Sequence, residues 1–288
     1  MKKYVRQPIY CGLLGKRNKQ GVYQFEVDFE NNTPEDAIQF IKPYFKISQI
    51  SGANVYWFGY QFNGKLDRDY RDACIAYLKN VQPEPVITED NQYDDIVISN
   101  DGIYEADLYN MIERSMRNIR LDNLSVDAVV YPASTTNDLV KYIARSVRRY
   151  LNNPSRLTLY EIQKADPKDI TIDVPGCMDD IANDIITDHN GLITEDYLYN
   201  LQNEVQDKEH FSLKSDISPM EIRPYVRNFM ELKNVDRALQ SAEQVLIVDD
   251  LKTTGTTLAE MVRIIRQYNP TCQIYVFTLI GNGRKNLR

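Results

Sequence analysis

From residue 126 onward, short apolar runs alternate with amphipathic segments of helical period, and few folds satisfy that alternation. Residues 126–131, 157–162, 244–248 and 273–280 read as strands, and residues 137–151 and 256–268 as the helices between them. Strands that are apolar along their whole length must be covered on both faces. A parallel sheet with crossover helices achieves that, so the expected class is α/β with a parallel, Rossmann-like sheet.

The amino-terminal part has a different rhythm. Residues 21–29 alternate apolar and polar, as a half-buried strand does. Thr33-Pro34-Glu35-Asp36 has the chemistry of a helix start, and the helix is expected to carry through Ala37, Ile38, Phe40 and Ile41. Residues 54–62, with Val55, Tyr56, Trp57, Phe58, Tyr60 and Phe62, predict a strand. Residues 67–79 predict an amphipathic helix around Tyr70, Ala73, Cys74, Tyr77 and Leu78. A proline-punctuated, acidic stretch follows at 82–95, then a short strand at 96–99 and a helix at 104–119. The expected organisation is an N-terminal α+β appendage or hood over residues 1–92 and a core over 93–288. Residues 165–242 interrupt that core with polar, mostly helical sequence too long for a plain connection. A lid, a partner-binding element or a small subdomain is expected there.

Composition removes several functions. The net charge of −7 argues against a nucleic-acid binder working by bulk electrostatics; Arg145, Arg148 and Arg149 are either a local basic patch or, more simply, the solvated side of a helix. No apolar run approaches the ~20 residues that span a bilayer, so no membrane partner is expected. The first residues lack the apolar core of a signal peptide, and cytoplasmic residence follows as the expectation. Cys11, Cys74, Cys177 and Cys272 are scattered, and His189 and His210 have no metal-ligand partner at helical spacing. That pattern suggests neither a zinc site, nor a disulfide framework, nor a nucleophilic triad.

The segment with chemistry is Val245-Leu-Ile-Val-Asp-Asp-Leu-Lys-Thr-Thr-Gly-Thr-Thr257. An apolar strand ends in two carboxylates, Asp249 and Asp250, and a hydroxyl-rich turn through Gly255 then opens a helix. Ligands of open parallel sheets sit beyond the carboxyl ends of the strands. A helix start offers backbone N–H groups and a positive dipole end to an anion. Gly255 lets the backbone come close and take a positive φ, and Thr253, Thr254, Thr256 and Thr257 add hydroxyl donors. The two carboxylates can accept hydrogen bonds from vicinal sugar hydroxyls or help hold a hydrated Mg²⁺. The Walker spacing is absent.

This run closely resembles the phosphoribosyl pyrophosphate motif of type I phosphoribosyltransferases. The resemblance implies that Asp249 and Asp250 face the ribose hydroxyls as the catalytic acids and, indirectly, the metal-holding ones, while Thr253, Thr254, Gly255, Thr256 and Thr257 wrap the 5′-phosphate. Thr253 stands where some purine-salvage members carry a catalytic Asp, so the chain is nearer to orotate-like or competence-type members. Lys252 departs from the family's usual apolar residue. The family's pyrophosphate loop has its counterpart after the strand at 126–131, where Ala133, Ser134, Thr135 and Thr136 supply donors and Asn137 or Asp138 caps the next helix. Arg223 and Arg227 echo the Arg-x-x-Asn segment of competence-type members. Either could neutralise pyrophosphate, or both are surface charges.

The resemblance implies a Mg²⁺-dependent pentosyltransferase that takes phosphoribosyl pyrophosphate and an acceptor base, and many members of the fold dimerise, which admits a homodimer. The aromatics at 56–62 are either stacking surface for the base or core. A second reading is a non-catalytic regulatory module that keeps the phosphate site. A third is a conflict-system effector on the same fold.

Overall fold

The computed structural model describes residues 13–17, 19–27, 41–50, 53–62, 68–83, 102–118, 124–134, 138–151, 157–187, 191–252 and 255–281. In chain order its elements are β1 (Leu13–Arg17), β2 (Tyr23–Val27), β3 (Ile41–Ile50), β4 (Ala53–Phe62), α1 (Arg68–Lys79), β5 (Val81–Gln82), β6 (Ile103–Tyr104) and α2 (Glu105–Asn118). β7 (Ala128–Pro132), α3 (Leu139–Tyr150) and β8 (Thr158–Lys164) follow. Next come β9 (Thr171–Ile172), α4 (Val174–Ala182), α5 (Glu195–Gln206), α6 (Leu213–Asp216), β10 (Val226–Arg227), β11 (Met230–Glu231) and α7 (Arg237–Gln240). β12 (Gln244–Lys252), α8 (Thr256–Tyr268) and β13 (Gln273–Gly281) close the described chain.

A seven-stranded sheet in the order β11-β8-β7-β12-β13-β4-β3 forms the centre. β8, β7, β12, β13 and β4 run parallel, while β11 and β3 pair antiparallel at the two edges. The architecture is thus mixed α/β with a mostly parallel sheet. Its two faces are read off β12, whose side chains alternate between separate cores. Val245 and Ile247 pack with α8 and with α4, α5 and the turns between them. Leu246 and Val248 pack with α1, α2 and α3. All four are fully buried, which stabilises the sheet by roughly 1.5–3 kcal/mol per side chain.

β4 pairs along its length with β13, from Val55 opposite Ile274 to Gln61 opposite Gly281. One sheet therefore takes strands from both sides of the expected division at residue 92. The helix expected to carry through Ile41 meets a strand instead, because Ile41 begins β3 and sits opposite Phe62. The helix start at 33–36 and the strand at 96–99 lie outside the described residues. Tyr56 stacks against Tyr275 with ring centroids 5.3 Å apart, a contact within the sheet. The side chains of Trp57, Phe58, Tyr60 and Phe62 lie outside the described residues.

Residues 165–242 are not set apart from the core. Ile172, Cys177, Leu198, Leu201, Ile217, Ile222 and Tyr225 share one apolar cluster with Val130, Tyr160 and Ile162 of the sheet. The short β11 extends the sheet beside β8, with Met230 opposite Lys164. These residues cover the part of the face that α8 leaves open.

The amino edge of the sheet is tied by polar side chains. The Asp127 carboxylate accepts the N–H groups of Glu243 and Gln244, both at 2.9 Å. The buried Asn269 amide donates to the carbonyls of Leu239 (2.9 Å) and Ala242 (2.8 Å), and its oxygen accepts Cys272 N–H at 3.0 Å. Among the described residues no helix is long and apolar enough to cross a membrane.

Candidate functional site

β7 leads through α3 to β8 on its left, with α3 on one face; β12 leads through α8 to β13 on its right, with α8 on the other. β7 and β12 are themselves neighbours, with Val245, Leu246 and Ile247 opposite Ala128, Val129 and Val130. The connections after these two strands depart in opposite directions, which opens a crevice at their carboxyl ends. That is the topological switch point where doubly wound sheets bind ligands. Both loops singled out in the sequence, 133–138 and 249–257, start at this crevice.

β12 does not stop at its last apolar residue, because its backbone continues through Lys252 and carries both acids on the strand. Asp249 continues the alternation toward the α8 face and is 7% exposed. Its Oδ1 accepts the N–H of Asp250 at 2.9 Å. Asp250 falls on the α1 face, where Lys79 Nζ lies 2.9 Å from its Oδ2. Burial, and then the Asp250 charge beside it, push the Asp249 carboxyl well above the usual carboxylate range. The Asp250 N–H and the Lys79 ammonium pull the other way.

Gly255 precedes α8 with φ +86°, in the left-handed region that β-branched side chains avoid. Ala259 N–H closes onto the Gly255 carbonyl at 2.9 Å, so the N–H groups of Thr256, Thr257 and Leu258 precede the helical ladder. Thr256 is buried and Thr257 half-buried in this first turn. Thr253 and Thr254 lie outside the described residues, as do the side chains of Leu251 and Lys252.

In the β7 loop, Ala133 N–H donates to the Ile162 carbonyl at 2.7 Å, so this amide is used in tying the loop to β8. Ser134 is exposed. Thr135, Thr136 and Asn137 lie outside the described residues. Asp138 holds the N-cap position of α3 without a side-chain cap bond, and its carbonyl accepts Tyr142 N–H at 2.9 Å.

Arg227 lies near the carboxyl end of β8, where Ala165 N–H meets the Phe229 carbonyl at 3.2 Å. Its guanidinium donates to the carbonyls of Pro224 and Val226 and sits 3.6 Å from an Asp173 oxygen. Arg223 donates to the carbonyls of Ile217 (3.2 Å) and Lys214 (2.7 Å). Both arginines therefore hold the backbone of the 165–242 region, two strands away from β12.

Lys79 was not singled out from the sequence. A lysine in the last turn of an amphipathic helix is ordinary, and only the fold brings this one to β12. Among the described residues no group of three or more His, Cys, Asp or Glu side chains is placed to hold a metal ion.

No family profile and no curated protein matches the chain. Among solved structures, the chain is similar to a hypoxanthine phosphoribosyltransferase from Staphylococcus aureus, at 11% identity over 71% of this chain and 78% of that one, with a TM-score of 0.33. It is also similar to a hypothetical protein from Neisseria gonorrhoeae with bound ppGpp, at 15% identity over 64% of this chain and 74% of that one, again with a TM-score of 0.33. Both scores are low, and neither similarity bears on function.

Proposed function

We propose that this chain is a type I phosphoribosyltransferase-like protein that binds phosphoribosyl pyrophosphate at the crevice between β7 and β12 and transfers the phosphoribosyl group to a nitrogenous base. One observation carries the reading. At the switch point, two carboxylates lie on the last part of the β12 strand, and a left-handed glycine then opens a helix. The 5′-phosphate goes to the amino end of α8, where the N–H groups of the first turn and the helix dipole favour an anion. Thr253 and Thr254 complete that cradle by their place in the sequence. The ribose lies toward Asp249 and Asp250, whose oxygens accept its vicinal hydroxyls.

In the reaction, the bond from the anomeric carbon to the pyrophosphate oxygen breaks and its electron pair leaves with pyrophosphate. The acceptor nitrogen supplies the pair for the new C–N bond and releases its proton to solvent. The protein's part is to fix the sugar at both ends while positive charge develops on the ring. By sequence, the loop after β7, with Ser134, Thr135 and Thr136, is the candidate source of donors for the departing pyrophosphate.

The carboxyl edge fits Mg²⁺ only as an ion carried by the ligand. Asp250 already holds the Lys79 ammonium at 2.9 Å, which competes for the oxygen a directly bound Mg²⁺ would take. Asp249 and Asp250 would reach the ion through ribose oxygens or water, and the ion, when bound, would offset charge on pyrophosphate.

The second reading, a module that binds the ligand without turnover, draws on Arg227. With its guanidinium on Asp173 and two carbonyls, Arg227 is engaged in its own fold, in line with the surface-charge alternative for it, and has fewer donors for a leaving pyrophosphate. A pyrophosphate-release assay with Mg²⁺ over a panel of purine, pyrimidine and related bases separates the two. Release with one base establishes the transferase. Binding without release for any base establishes the module.

A further inference from the structure

We infer that Lys79, contributed by the amino-terminal segment, is a positioning residue of this site: it anchors one oxygen of Asp250 so that the carboxylate receives the sugar's vicinal diol. The inference rests on the proposed phosphoribosyl site and deepens it.

Lys79 is the last residue of α1 and its backbone is held firmly. Cys74, Tyr77 and Leu78 are buried in the core shared with α2 and α3, and Tyr77 packs on Phe25 with ring centroids 5.5 Å apart. Just beyond, Asn80 N–H donates to the Ala76 carbonyl at 3.1 Å, and the Gln82 amide donates to Asn80 Oδ1 at 2.7 Å. Val81 and Gln82 then pair with Ile103 and Tyr104. Gly102 lies so close to this turn that a Cβ there would stand 1.9 Å from the Asn80 carbonyl oxygen. Glycine is what lets the two backbones meet. The end of α1 is thereby fixed at the carboxyl edge, and Lys79 Nζ reaches Asp250 Oδ2 at 2.9 Å.

The Asp250 side chain is 14% exposed and that of Lys79 38%. The acid is thus recessed and the ammonium faces partly outward. A carboxylate has about four acceptor positions, so one ammonium contact leaves capacity for hydroxyl donors. An unanchored aspartate beside another acid would swing away from its neighbour; Lys79 holds it in one orientation across the strand end. The phosphate end of the ligand belongs to α8 on the opposite face, so Lys79 acts through Asp250 and not on phosphate.

The test is calorimetric titration of the full chain with ribose 5-phosphate and with 2-deoxyribose 5-phosphate, for the unmodified protein, Lys79→Met, Lys79→Arg, Asp250→Asn and Lys79→Met/Asp250→Asn. The unmodified protein should prefer the ribose compound by about tenfold, the worth of one hydrogen bond to a charged group. Lys79→Met should erase that preference while leaving deoxyribose 5-phosphate within about twofold, and its melting point should fall only modestly, because the ammonium end of the pair is partly exposed. Lys79→Arg should keep the preference. The double variant should bind no worse than Asp250→Asn, because the lysine acts through the acid. An unchanged preference in Lys79→Met, or an equal loss for both sugars, overturns the inference while leaving the site intact; the equal loss would mean that the amine meets phosphate. Failure of the unmodified protein to bind either sugar phosphate overturns the site and the inference together.

Discussion

The β12–α8 unit and the 165–242 region cover the same face of one sheet, and they are held there by different physics. In β12–α8 the backbone satisfies itself. A nine-residue strand pairs on both sides, a thirteen-residue helix follows, and Leu258, Met261, Val262, Ile264 and Ile265 bury its inner face. The 165–242 region has short elements whose backbone groups are met by side chains far away in sequence. The Gln202 side-chain oxygen accepts Ile172 N–H at 2.7 Å, and the Gln206 amide donates to the Ile170 carbonyl at 2.7 Å. Thr194 caps α5, and Asp236 caps α7 while accepting the Tyr160 hydroxyl. A self-sufficient unit can carry a left-handed glycine and two crowded acids at its carboxyl end. A region built from side-chain links spends its polar groups, Arg223 and Arg227 included, on its own fold.

The largest effect that would sharpen this contrast is Leu198→Ala. Leu198 is fully buried in α5, and its truncation should cost about 2–5 kcal/mol. Denaturant unfolding should show a lower midpoint in one transition, with ligand affinity of the folded protein unchanged. A separate early transition for this region would instead make it a detachable lid.

Gly255→Val should cost about 1–3 kcal/mol in backbone strain, since valine rarely takes a φ of +86°, and should weaken phosphate binding more than tenfold. Binding at full strength would reduce the loop to an ordinary helix start.

The two regions should also answer pH with opposite signs. Burial pushes the Asp216 carboxyl up, but the Lys208 ammonium at 2.8 Å and the Ser212 N–H at 2.6 Å overcome it and hold it below its ordinary value. Its stabilisation is present above the unfolded value of about 3.9 and is lost as pH falls through the lower native one. Asp216→Asn should therefore cost about 1 kcal/mol near neutrality and progressively less in acid. Asp249 is raised, so its contribution is fully present below about 3.9 and is lost as pH rises through the native value. Asp249→Asn should stabilise the fold near neutrality by about 0.5 kcal/mol, a gain that fades in acid, while weakening ligand binding. Thermal melts across that pH range check both signs. A destabilised Asp249→Asn at neutral pH would mean that the carboxylate is not strained there.

The same division governs what could be read from the sequence. Period and apolarity placed β7, β8, β12 and β13 and the helices between them, because each carries its own pattern. The acids and the glycine at the end of β12 were legible for the same reason. Pairing between distant segments was not. Residues 54–62 were recognisable as a strand, but nothing local in them says that they lie beside β13. Residues 41–50 were not recognised as a strand, since a convincing helix start at 33–36 led into them. The Lys79–Asp250 contact joins positions whose proximity depends on the packing of α1 and on the Gly102–Asn80 approach. The polar 165–242 sequence concealed a buried face, because outside α5 its apolar residues are spread over short elements and the turns between them.

The most direct measurement is calorimetric titration with phosphoribosyl pyrophosphate, with and without Mg²⁺, of the unmodified protein and of the Asp249→Asn/Asp250→Asn variant. The account predicts binding that Mg²⁺ tightens, and a variant that remains folded but binds at least about tenfold more weakly. No binding by the unmodified protein, or equal affinity in the variant, would contradict it and leave the end of β12 as a strand followed by a plain helix start.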